Sequence, residues 1–163
     1  MKQIKLIFFL LVFAVVLLPA CTGGTANSGK LEVHDAWGRN SPKAAVNGAF
    51  YMTVVNNSKQ DDSLLSAASE ACSTVELHEM YMMENDVMGM RPVPGGSIPV
   101  AAGETVELKV GGLHVMCLDK LVEFTAGSKI QITLVFENAG EMSVTAEIRD
   151  ASEGSMNMEG NGG

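Results

Sequence analysis

Thr74-Val75-Glu76-Leu77-His78-Glu79-Met80 alternates apolar and polar residues with a period of two. Successive side chains of a strand point to opposite faces. Val75 and Leu77 therefore share one face, and Glu76, His78, Met80 and Met82 share the other. A face that begins with threonine, glutamate and histidine is not a core face. The same pattern recurs downstream: Leu113, Val115 and Cys117 form an apolar row, with His114 and Met116 opposite. Both segments read as half-buried strands whose His and Met side chains point away from the packed interior.

Working outward, the whole central region shows the strand period and no sustained helical one. Leu31–Trp37, Ala49–Val55, Ser63–Ala68 and Cys72–Met83 read as strands. Asn85-Asp86 makes a turn, and Val87–Val93 returns from it. Thr105–Val110 and Leu113–Leu118 follow, joined by a tight turn at Gly111-Gly112. Lys129–Glu137 and Glu141–Arg149 form a closing hairpin around Asn138-Ala139-Gly140. Ile130, Ile132, Leu134 and Phe136 supply one face of it; Met142, Val144, Ala146 and Ile148 supply the partner face. Many short strands divided by turn residues predict an all-β sandwich over residues 31–150. About 120 residues suffice for one such core.

The ends differ in kind. Lys2 and Lys5 precede an apolar run from Leu6 to Leu18, then Pro19-Ala20-Cys21. That is the layout of a secretory signal, too short for a membrane span of roughly 20 apolar residues. Leu18-Pro19-Ala20-Cys21 resembles the bacterial lipobox, which implies cleavage before Cys21 and lipid on that cysteine. The expected product is an extracytoplasmic protein anchored to the membrane through its lipid alone, in the periplasm or at the cell surface. Residues 21–30 read as a flexible tether, and 151–163, rich in Gly, Asn and Ser, as a disordered tail carrying Met156 and Met158.

The chain of 163 residues has formal net charge −8. Loss of residues 1–20 removes two lysines and no acids, leaving a net −10. Nucleic acid is excluded as a partner, because its binding depends on basic patches; a cation or a basic protein face is the fitting counterpart. With Cys21 lipidated, Cys72 and Cys117 remain. In an oxidising compartment they form either a disulfide or two separate buried thiols.

Five of the thirteen residues from His78 to Met90 are methionine, and only three histidines occur in the chain. Thioether and imidazole form a soft-to-borderline donor set that suits Cu(I) better than calcium, magnesium or manganese. Alone, such a cluster is equally well read as packing or as a partner surface. His34, with no methionine two positions away, reads as an ordinary surface residue.

Three motifs together resemble the periplasmic copper chaperone family PCuAC: Val75-Glu76-Leu77-His78-Glu79-Met80, Met88-Gly89-Met90-Arg91-Pro92-Val93, and Gly111-Gly112-Leu113-His114-Val115-Met116. The likeness covers roughly residues 31–150. It implies a cupredoxin-like Greek-key β-sandwich with a surface Cu(I) site from His78, Met90, His114 and Met116. Met88 is the alternative middle ligand, and Met80 and Met88 are candidates for an additional or outer-shell role. The resemblance also implies delivery of copper to an acceptor protein, either cytochrome c oxidase subunit II with its binuclear copper centre or another copper chaperone.

Two other readings use the same residues. A blue-copper electron carrier needs a cysteine thiolate beside two histidines, yet Cys117 points opposite to Met116. A surface-anchored adhesion module needs no metal. Enzyme motifs are missing: there is no G-x-S-x-G, no phosphate loop, and no second histidine to complete H-E-x-x-H after His78-Glu79.

Overall fold

The computed structural model describes residues 29–150. The expected leader (1–20), most of the tether, the lipidation site Cys21 and the tail 151–163 lie outside the described residues. Ten strands follow one another: β1 (Leu31–Arg39), β2 (Gly48–Asn56), β3 (Asp62–Ala68), β4 (Cys72–Met82), β5 (Met88–Pro92), β6 (Ile98–Val100), β7 (Thr105–Leu108), β8 (His114–Lys120), β9 (Lys129–Phe136) and β10 (Gly140–Arg149). A 3-10 turn, Glu84–Asp86, joins β4 to β5. The fold is the expected all-β sandwich.

Hydrogen bonding runs in the order β5-β4-β8-β2-β1-β10-β9-β3-β6, with β7 pairing β2. Strand β1 links the two halves. It is antiparallel to β2 along most of its length and parallel to β10 over Trp37–Arg39. Its register shifts between His34 and Trp37, where Asp35 adopts φ 48°. Such an irregularity bends a strand and sharpens its twist.

Alternation decides which side chains enter the core. Phe50, Met52 and Val54 of β2, Leu77 of β4, and Val115 and Cys117 of β8 face inward. Leu64 of β3, Ile132, Leu134 and Phe136 of β9, and Ile148 of β10 meet them from the other half. Phe124, from the β8–β9 connection, stacks on Phe50 at 5.0 Å between ring centroids. Cys72 and Cys117 are joined by a disulfide across the β4–β8 pair. The sequence reading did not resolve β6, and it carried β7 two residues too far. Lys109 to Gly112 is a turn closed by the Gly112 N–H donating to the Lys109 carbonyl at 3.0 Å, with Gly111 at φ 81°.

Candidate metal centre

Strand register assembles the candidate ligands. Across β4 and β8, Glu76 pairs with Met116 and His78 with His114. Across β4 and β5, Met80 pairs with Met90 and Met82 with Met88. Side chains alternate, so His78, Met80, Met90, His114 and Met116 all emerge on the outer face of one sheet. Val115 and Cys117 go into the core. The parity read from the sequence is the parity of the structure.

Their depth is different from the expectation. The resemblance implies a surface site, but His78, His114 and Met116 are 8%, 3% and 9% exposed. Of the set, Met90 is 54% exposed and Met88 47%. Neighbouring side chains on the same face crowd His114. Tyr51 lies 6.3 Å from the His114 ring and 4.6 Å from Trp37, centroid to centroid, forming an aromatic row beside the site. The 109–112 turn folds over the start of β8, and its Val110 and Gly111 wall a cleft that Met80, Met90, His114 and Met116 also line. The cleft is open and has a volume of about 410 Å³. Neither His78 nor Met88 is among its lining residues.

Hydrogen bonds fix both imidazoles. His78 Nε2 lies 2.8 Å from the Glu76 carboxylate, and His114 Nδ1 lies 3.0 Å from the Gly112 carbonyl. Both partners are acceptors, so these nitrogens carry the protons. The lone pairs are then left on His78 Nδ1 and His114 Nε2. Both of those atoms are buried and have no hydrogen-bond partner. An unsatisfied buried polar group costs about 1–3 kcal/mol. Two of them, on rings 5.8 Å apart in a T-shaped arrangement, form a feature that ordinary packing would have removed.

Burial is the largest influence on His114 and holds its pKa below the usual histidine value; the Gly112 hydrogen bond opposes this and His78 adds to it. The neutral imidazole, the form that binds metal, is therefore favoured. Tyr51 is pushed the other way, above the usual phenol value, by burial, with the Arg39 charge partly opposing. Among the described residues no three His, Cys, Asp or Glu side chains gather to hold a metal. Any ion here must draw on thioether sulfur as well as imidazole.

Some contributors were not singled out from the sequence. Tyr51 alternates with the core residues Phe50 and Met52, which signals an outward side chain but not its place beside His114. Glu76 shares the face of His78, which hinted at the contact. The Gly112 carbonyl had no signal beyond the turn itself. His34 is exposed and sits 3.1 Å from Glu32, away from the cleft.

Comparison with known proteins places this geometry in a family. The model of the "Putative lipoprotein LpqE-like" family matches residues 31–148. The "Putative lipoprotein Lxx21020" of Leifsonia xyli subsp. xyli is 30% identical over 132 residues, covering 80% of this chain and 76% of that protein. Among solved structures, the Cu(I) form of DR1885 from Deinococcus radiodurans superimposes with a TM-score of 0.57 at 28% identity. It covers 86% of this chain and 87% of its own. The copper-bound PCuAC domain from PmoF2 gives 0.61 at 24% identity, covering 76% and 95%. The PCuAC likeness carried by the three motifs is thus also a likeness of fold. With its matched region spanning the whole sandwich, the chain belongs to the LpqE-like family.

Proposed function

We propose that this protein is an extracytoplasmic Cu(I) metallochaperone. It is held to the membrane by lipid on Cys21 and passes copper toward the binuclear centre of cytochrome c oxidase. The observation that carries the reading is the pair of buried, unpartnered nitrogens, His78 Nδ1 and His114 Nε2. Each ring donates its other N–H to a carboxylate or a backbone carbonyl, the usual outer support of a metal-bound histidine. Met116 and Met90 complete the ligand set, with Met80 beside Met90 in the register. Met88 lies farther out, opposite Met82.

This donor set answers the compartment. Thiols that meet in an oxidising space become disulfides, whereas thioethers remain soft ligands and are lost only to sulfoxide formation. The ligands differ in depth, which suits a carrier that must release its cargo. His78, His114 and Met116 hold copper from within, and the exposed Met90 is the one an incoming donor displaces first. The solved Cu(I) form of DR1885, 28% identical, supports copper as the metal. The electron-carrier reading lacks its thiolate, because Cys117 faces the core and is tied to Cys72.

Anaerobic Cu(I) titration against a competing chelator tests the site. One tight site per chain is expected, and His114→Ala/Met116→Ala should weaken it by a factor of at least about 100, since two of four ligands go. Tight binding retained in that variant refutes the assignment. X-ray absorption on the loaded protein counts sulfur and nitrogen neighbours, with two of each expected. Delivery is tested separately by transfer to the soluble copper domain of cytochrome c oxidase subunit II.

A further inference from the structure

The cleft is much larger than one ion requires. At about 410 Å³ it lies in the range of roughly 300–1,000 Å³ that accommodates small organic ligands. Its lining combines two chemistries. Met80, Met90, His114 and Met116 supply soft donors. Arg39 also lines it and is the single permanently charged side chain in the wall.

Arg39 is also unlike the other arginines. Arg91 pairs with Glu79 at 2.8 Å and Arg149 with Asp35 at 2.7 Å. The Arg39 side chain is exposed and makes no hydrogen bond or ion pair among the described residues, although its charge acts on Tyr51. The polar side chains beside it are already engaged: Asn40 donates to Asp150 at 2.7 Å, and Asn47 accepts the Asp119 N–H at 3.2 Å. Ser41 contacts the Lys120 ammonium. The wall is therefore held in place, with one planar cationic fork left to recognise something. A guanidinium matches a carboxylate in two-pronged geometry. In a chain of net charge −8, a cationic pocket wall is not a by-product of bulk charge.

We propose that the cleft binds a small carboxylate ligand of Cu(I), of amino-acid or short-peptide size, with its carboxylate on Arg39 and its soft donor at the metal. Copper then enters and leaves as a ternary complex with such a molecule. The proposal rests on the copper reading of the thioether and imidazole lining, but its carboxylate contact is testable without copper.

N-acetylmethionine and N-acetylmethioninamide share a thioether and differ in the carboxylate. Both are titrated into the full chain, copper-free and Cu(I)-loaded, with binding followed by NMR shifts at Tyr51, His114 and Arg39. The acid is expected to bind about tenfold more tightly than the amide in both forms, the scale of one charge-assisted hydrogen-bonded pair. Arg39→Gln should abolish that preference while leaving Cu(I) affinity unchanged. Equal binding of acid and amide, no binding of either, or a preference that survives in Arg39→Gln overturns the proposal. Failure of the Cu(I) titration itself removes the functional reading, and the acid–amide comparison on the copper-free chain still decides the Arg39 contact.

Discussion

At the scale of single residues, the site depends on which nitrogen of each histidine is free. Glu76 settles that for His78 through a 2.8 Å contact to Nε2, leaving Nδ1 as the nitrogen without a partner. Glu76 is 40% exposed as a side chain, so its contact with the ring adds little to folding. Its value lies in orienting the ring. Glu76→Ala should lower Cu(I) affinity by about 10- to 100-fold, the usual penalty for losing such an outer partner, while urea denaturation of the copper-free protein changes little. An affinity within a factor of two of the parent would show that the ring needs no such support. The sequence placed Glu76 on the same face as His78, but a glutamate two residues along a strand is ordinarily just solvated. Nothing in the string of residues separates the two cases. The surroundings of His114 were equally hidden, because Tyr51 and the 109–112 turn beside it belong to other parts of the chain.

At the scale of elements, the β4–β8 pair holds the centre together. It places His78 opposite His114 on one face and joins Cys72 to Cys117 from the other. Nearly every strand was legible, because alternation in β2, β4, β7, β8, β9 and β10 is regular. The three-residue β6 was not, since Ile98-Pro99-Val100 is too short to show a period and proline argues against a strand. The switch of β1 from β2 to β10 was not legible either, as pairing between distant segments leaves no local mark. The disulfide closes a separation of 45 residues. Cys72→Ala/Cys117→Ala should therefore cost roughly 2–4 kcal/mol of stability, read as a lower urea midpoint. The same variant should still bind one Cu(I), because Cys117 faces the core behind His114 and Met116. Loss of copper from a variant that remains folded would mean that a thiol takes part in binding.

At the scale of the whole molecule, the acidic surface and the soft site act at different ranges. The net charge of −8 draws in cations from solution, and Arg39 engages a ligand only once it is inside the cleft. Charge composition was fully legible in the sequence; that the 3-10 turn carries Glu84 and Asp86 beside the exposed Met82, Met83 and Met88 follows from the fold. This acidic, methionine-rich tip should steer a basic acceptor. A methionine peptide flanked by lysines, used as the acceptor of Cu(I) from the loaded chain, is expected to take copper several-fold faster at about 20 mM salt than at about 500 mM. Screening shortens the reach of exposed charges from tens of ångströms to a few over that interval. Glu84→Gln/Asp86→Asn should flatten the salt dependence. Asparagine suits position 86, where φ is 59°, because it tolerates the left-handed region better than most residues. Stopped-flow transfer rates measure both effects. A rate independent of salt, or a salt dependence untouched by the double variant, would mean that encounter is governed by the cleft and its ligands and that the acidic tip only keeps the protein in solution.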